Sequence, residues 1–166
     1  MPLHLRAMEP EDLHLLYDVE NDTSTWDAAT TNMPYSLDLL RQYILSTTGD
    51  IFADKQLRLI VETADGTTGG IVDLTSFDPK NRRAEVGIAI VSSYRRKGHA
   101  TEALALLEAY SRQSAHIHTL YAIVPADNTA SRRVFEKCGF EMRTVLDEWL
   151  YDGKKYKNAL FMQKTI

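Results

Sequence analysis

Three consecutive cations, Arg95, Arg96 and Lys97, stand where a strand-like run over residues 84–91 turns into a helical run from Thr101 to about Ser114. A helix start already carries positive potential from its unpaired N–H groups, and each added cation there costs roughly 0.3–1 kcal/mol. An anion resolves the conflict. Open amides at the helix start, a glycine at position 98 that lets another molecule approach the backbone, and adjacent basic side chains together make a phosphate site. The segment therefore predicts two things at once: a strand–turn–helix unit, which argues for an α/β architecture, and a phosphorylated ligand held at the turn.

A chain of 166 residues suits one domain spanning 1–166, large enough to bury a core without staples. No apolar run approaches the ~18–20 residues of a membrane span, and the N-terminal stretch lacks a signal-peptide core. Cys138 is the single cysteine. It excludes an internal disulfide framework and makes a reducing cytoplasm the expected location. Residues 1–79 carry 4 Lys/Arg against 14 Asp/Glu, whereas residues 80–166 carry 15 against 9, so the net charge of −4 divides into −10 and +6. The basic second half suits the phosphate ligand. The acidic first half either suits a cationic co-substrate or is solvated helix surface. No run interleaves basic and aromatic residues as a nucleic-acid platform does, so neither nucleic acid nor membrane is expected as a partner.

The hydrophobic period divides the chain into elements. Residues 3–8 alternate as a first strand. Pro10, Glu11 and Asp12 open a helix with Leu13, Leu16 and Tyr17 at helical spacing, and a second helix begins at Ser36 with Leu37, Leu40, Ile44 and Leu45 on one face. Residues 21–35 read as irregular. Strands over 57–63 and 69–77 form a hairpin around Asp65 and Gly66, followed by the strand over 83–91. After the long helix come a strand over 119–124, a helix over 128–137 closed by Gly139, and strands over 140–151 and 155–162. The sum is a mixed α/β fold, mostly antiparallel with one strand–helix–strand crossover.

Two common phosphate motifs are absent: there is no Gly-x-x-x-x-Gly-Lys-Ser/Thr and no Gly-x-Gly-x-x-Gly after an early strand. What remains is Arg95-x-x-Gly98-x-Ala100, a form of Arg/Gln-x-x-Gly-x-Gly/Ala, opening a helix and followed by a second strand–helix unit with Asn128. With residues 81–88, Asn128-x-x-Ser131 and residues 135–140, this resembles the GNAT superfamily of N-acetyltransferases over nearly the whole length. The ending over 151–159 resembles its bacterial spermidine and ribosomal-protein branches. The resemblance implies a mostly antiparallel sheet of six to seven strands flanked by about four helices, with splayed fourth and fifth strands. It also implies acetyl-CoA as co-substrate. Its pyrophosphate would lie on the backbone of Arg95, Arg96, Lys97, Gly98, His99, Ala100 and Thr101. Its pantetheine arm would run along Ile88, Ala89 and Ile90, with Asn128, Ser131, Phe135 and Lys137 completing the cofactor site. Each of Arg95, Arg96, Lys97, Arg132, Arg133 and Lys137 reads either as a contact to the CoA anion or as a solvated surface cation.

On the strand over 84–91 one pleat face carries Val86, Ile88 and Ile90, and the other carries Glu85, Gly87 and Ala89. The second face leaves room for a ligand beside a carboxylate. An amine must lose a proton to attack a thioester, so Glu85 is the candidate general base; the alternative is a structural carboxylate paired with Arg82 or Arg83. The family's acid, a tyrosine seven residues after the asparagine, is replaced by Phe135. Water, Tyr94, Tyr110 or Tyr121 are the remaining proton sources. Cys138 reads as a small buried hydrophobe rather than an acyl carrier, and His116 with His118 lacks partners for a metal, so no metal is expected. Trp26 reads as core, or as the wall of an amine pocket with Asp22 and Asp27. The expected activity is direct transfer of acetyl from acetyl-CoA to a primary amine, either a polyamine-like small cation or a protein N-terminus. The alternative is a catalytically weak CoA-binding sensor or interaction module. Exposed strand edges make a homodimer a further expectation.

Overall fold

The structure is a computed structural model that describes residues 2–28 and 32–166, side chains of 26–28 excepted. Strand β1 (Leu3–Ala7) precedes α1 (Leu13–Glu20), which is entered through a 3₁₀ turn at Pro10–Asp12. A second 3₁₀ turn, Thr23–Ala28, precedes α2 (Leu37–Ser46) and the short α3 (Ile51–Asp54). Then follow β2 (Leu57–Thr63), β3 (Thr68–Asp78), β4 (Arg83–Ile90), α4 (His99–Gln113), β5 (Thr119–Pro125), α5 (Thr129–Lys137), β6 (Glu141–Tyr151) and β7 (Tyr156–Thr165). The seven strands form one sheet in the order β1-β2-β3-β4-β5-β7-β6. Every pairing is antiparallel except β4 with β5, the parallel pair that α4 joins by a crossover. The expected α/β class, strand count and single crossover are what the structure shows.

Strand periodicity sorts the core into two layers. Ile60 pairs with Ile71 across β2 and β3, and both point to α1 and α2, where they bury against Leu13, Leu16, Leu40 and Ile44. Their neighbours Leu59, Val61, Val72 and Leu74 point the other way, with Val86, Leu120, Ala122 and Val124, into a larger core that includes Leu104 and Leu107 of α4 and Phe135 of α5. Burying each such side chain contributes about 1.5–3 kcal/mol.

Polar side chains terminate the helices. The Ser36 hydroxyl accepts from the Leu39 N–H at 3.1 Å at the start of α2, and Asn128 Oδ1 accepts from the Ser131 N–H at 3.0 Å at the start of α5. The helix α4 begins at His99, two residues before the expected Thr101, because Gly98 takes a left-handed φ of 83° and serves as its N-cap. Helix α3 was not expected. Its single turn has no hydrophobic period, and Asp50, accepting from the Phe52 N–H at 2.9 Å, starts it. Among the described residues no helix is long and apolar enough to cross a membrane.

Candidate active site

The sheet opens at its centre. Strands β4 and β5 pair over three registers, Arg83 with Thr119, Ala84 with Leu120 and Glu85 with Tyr121. Beyond Glu85, β4 stays paired with β3 as far as Ile90 opposite Gly70, while β5 stays with β7 as far as Pro125 opposite Ala159. The facing edges at 86–90 and 122–125 therefore part into a V, with Glu85 and Tyr121 at its vertex. Backbone groups along those inner edges have no ladder partner across the gap, which makes the V a place for a chain-like ligand that supplies hydrogen bonds.

The mouth of the V leads to the basic turn. Arg96 and Gly98 both take left-handed φ, 61° and 83°, and no side chain caps the first turn of α4. Orphan amides at a helix start attract anions. A Cβ at Gly98 would meet nothing within 4 Å, so glycine is needed there for its conformation and not for space. Arg95 does not reach into this turn: its Nε donates to the Ile90 carbonyl at 2.8 Å and its Nη2 lies 3.9 Å from Asp22. Arg96 is exposed, and Lys97 Nζ sits 5.4 Å over the Tyr94 ring. His99 packs on the same ring with centroids 5.4 Å apart, and its buried Nδ1 has no hydrogen-bond partner among the described residues.

The second strand–helix unit divides its candidates. Asn128 and Ser131 meet at the start of α5 through the cap already described. Phe135 is 3% exposed in the main core, edge-on to Phe140 with centroids 5.1 Å apart. Lys137 lies at the far end of α5, about 13 Å along the helix axis from Asn128 at ~1.5 Å per residue.

On the opposite face of β4, Glu85, Gly87 and Ala89 point toward the α1–α2 layer. Glu85 forms no hydrogen bond or ion pair among the described residues. The pairing with Arg82 or Arg83 is not made, and Arg83 turns to Asp78 at 3.3 Å instead. Burial pushes the Glu85 carboxyl above its ordinary value. Tyr121 stacks on Phe161 with centroids 5.3 Å apart and planes 18° from parallel. The stacked pair lines an open cavity of about 460 Å³ with Asn81, Arg83, Thr119 and Gln163.

One cluster on this face was not read from the sequence. Arg58 on β2 donates to Asp73 through Nε at 2.6 Å and Nη2 at 2.9 Å, and to Glu20 of α1 through Nη1 at 2.6 Å. The Tyr43 ring lies 5.7 Å from its guanidinium carbon. Asp73 in turn stands opposite Gly87, where a Cβ would lie 3.5 Å from Asp73 Oδ2. The available signal was a lone aspartate inside the apolar run of β3.

The remaining singled-out residues are elsewhere. Cys138 is partly buried, its Sγ 3.7 Å from the Thr101 carbonyl, and burial raises its thiol. His116 and His118 are exposed, and among the described residues no three His, Cys, Asp or Glu side chains gather in a metal-binding group. Asp22 binds Ser24 and approaches Arg95. The pocket wall read from Trp26 and Asp27 lies outside the described side chains.

Comparison with known proteins agrees with this geometry. The family model described as an acetyltransferase (GNAT) domain matches residues 3–141. Spermidine N(1)-acetyltransferase of Escherichia coli (strain K12) is 30% identical over 162 residues, covering 95% of this chain and 83% of that protein. A putative ribosomal N-acetyltransferase of Bacillus subtilis (strain 168) is 27% identical over 161 residues, covering 95% and 87%. The crystal structure of Vibrio cholerae spermidine N-acetyltransferase with CoA and spermine superposes with a TM-score of 0.89 at 25% identity, covering 98% and 95%. The Vibrio cholerae enzyme has also been solved as a dodecamer and with manganese ions. A divided β4–β5 pair, an uncapped basic helix start and a family match over most of the chain converge: the protein belongs to the GNAT family and is an acetyl-CoA-dependent N-acetyltransferase.

Proposed function

We propose that the acetyl acceptor is a small polycationic amine of the spermidine class and that Glu85 removes its proton. The observation that carries this reading is the charge on one face of the sheet. Among the described residues Glu85 has no hydrogen-bond or ion-pair partner there, and beside it Asp73 and Glu20 share the guanidinium of Arg58. Such a face holds more negative charge than it neutralises and favours a ligand with several ammonium groups. The spermidine acetyltransferase relatives support the same reading.

In this reading the pyrophosphate of CoA lies on the amides of the turn at 95–101, assisted by the charges of Arg96 and Lys97. The pantetheine arm occupies the V along Ile88, Ala89 and Ile90 and passes the start of α5 at Asn128 and Ser131, above the apolar surface under which Phe135 is packed. Lys137 takes no role the geometry supports. The amine enters from the α1–α2 side as its free base and attacks the thioester, whose oxygen is met by a β4 backbone amide, and gives a proton to Glu85 as the bond forms. The nucleophile is an amine and the electrophile a thioester, so the proposal requires no metal.

A protein N-terminus is the second reading. The cavity below the vertex, with Asn81, Arg83 and Gln163 on its wall, offers hydrogen bonds to a peptide backbone and no acid to a second ammonium. We further propose that the whole of 1–166 acts as one catalytic domain in the cytoplasm, and that it self-associates. The outer strand β6 and its hairpin leave Met142, Val145, Trp149, Tyr151 and Tyr156 exposed, an edge that calls for a cover.

Release of CoA thiol from acetyl-CoA, followed with a thiol-reactive dye across polyamines, amino acids and N-terminal peptides, tests the acceptor. Saturable release with spermidine or spermine, exceeding that with monoamines, is the expected result. Preference for peptides would transfer the assignment to the second reading. Acetyl-CoA binding without release by any amine would make the protein a sensor.

A further inference from the structure

The acid that protonates the leaving CoA thiolate has no owner at its usual family position, because Phe135 has no hydroxyl and lies buried against Phe140. The proton then comes from water or from another residue near the V. Three tyrosines stand out from the sequence, and the structure separates them. Tyr94 forms the platform under His99 and Lys97 in the basic turn and packs beside Gly69. Tyr110 belongs to the last turns of α4 and packs against the main core. Tyr121 alone of the three stands at the vertex, opposite Glu85 in the last paired register before the strands part.

We propose that Tyr121 is the general acid for the thiolate and that it recovers its proton from Glu85. Side chains directly opposite one another in a parallel ladder emerge on the same sheet face, so the phenol and the carboxylate are neighbours on the acceptor side. The stack on Phe161 fixes the ring plane. Burial and the nearby Glu85 charge raise the phenol and outweigh the opposing hydrogen bond with Ser76 and the Arg83 charge, which keeps it protonated and able to donate across the neutral range. The inference rests on the reading of Glu85 as the base.

The proton balance closes on these two residues. The amine reacts as its free base, its ammonium proton having gone to solvent, and as its nitrogen forms the bond to the acetyl carbon one N–H proton passes to the Glu85 carboxylate. The C–S bond then breaks with its electron pair leaving on sulfur, and the Tyr121 O–H proton goes to that sulfur. A phenolate now faces a protonated carboxyl one register across, and the proton moves from Glu85 back to Tyr121. Amide and free thiol leave, and the enzyme is returned to its starting state. No oxidant, metal or further acid is needed.

The test uses the full-length enzyme with spermidine and acetyl-CoA. Tyr121→Phe preserves the ring stack, so thermal stability and acetyl-CoA affinity are expected to stay at the wild-type level while kcat falls about 10- to 100-fold. Tyr110→Phe serves as the control and leaves kcat unchanged. Replacing Tyr121 with 3,5-difluorotyrosine, whose phenol is more acidic, restores turnover near neutrality and moves the alkaline limb of the kcat profile to lower pH. A structural role for the ring would not move that limb. Full kcat in Tyr121→Phe with a slow Glu85→Gln overturns the assignment of Tyr121 alone. An unimpaired Glu85→Gln overturns the proton return together with the reading of Glu85 as base.

Discussion

Replacing Glu85 by glutamine lowers kcat/KM for the amine about 100-fold, near the low end of the ~10²–10⁴ range for a general base, while acetyl-CoA affinity stays at the wild-type level. A 100-fold loss corresponds to about 2.7 kcal/mol of transition-state stabilisation. In the proposed reading the two effects separate because the cofactor binds the backbone of the turn and of the β4 edge, whereas the carboxylate projects from the α1–α2 face of the sheet. Burial raises the Glu85 carboxyl, so its neutral form persists to higher pH than in a free side chain, and the base is lost as pH falls through a value above the ordinary ~4.3. The acid limb of the wild-type profile is therefore expected above the usual carboxylate range and is absent from the variant. Stability has the opposite sign. A carboxyl raised in the folded state destabilises the fold once ionised, with the penalty absent below its unfolded value and complete above its folded one. At neutral pH Glu85→Gln is thus expected to unfold at the same temperature as wild type or slightly higher. A slower and less stable variant would point instead to a structural role.

Gly70→Ala is expected to damage both the fold and the cofactor site. A Cβ at Gly70 would lie 2.3 Å from the Ala89 carbonyl oxygen and 3.1 Å from Ile90 Cα, both backbone atoms, so no side-chain rotation relieves the contact. Strand β3 must move away from β4 where β4 forms one wall of the V. Overpacking of this kind costs about 1–3 kcal/mol. For a chain of this size that lowers Tm by roughly 2–4 °C per kcal/mol, and the shift of Ala89 and Ile90 should raise KM for acetyl-CoA. Gly87→Ala is the comparison. Its nearest neighbours are side-chain atoms of Asp73 at 3.4 and 3.5 Å, ordinary contacts, so it should leave Tm close to wild type. Equal damage from the two substitutions, read by thermal melting, would contradict the strand packing described.

Much of this architecture was legible because it rests on local signals. Period-2 runs announced the strands, Gly98 and the cations announced the turn, and Asn128 stood where a helix needs a cap. The losses were of other kinds. Helix α3 has one turn and therefore no period to read. Arg58, Glu20 and Asp73 come from three elements, and nothing along the chain says which long side chain meets which carboxylate across a sheet. Arg95 shows the same limit. Its sequence position suggests an anion contact, yet its side chain folds back to the Ile90 carbonyl and toward Asp22. The three tyrosines were equivalent until the β4–β5 register placed Tyr121 opposite Glu85.

The claim on which the account depends is that backbone amides of the divided strand and of the basic turn hold the cofactor. Amide hydrogen exchange with and without acetyl-CoA measures this directly, residue by residue. The account predicts new protection at 88–90 and 96–101, and no change along β6 (Glu141–Tyr151), on the far edge of the sheet. Protection confined to other segments, with 88–90 and 96–101 exchanging as in the free protein, would contradict it.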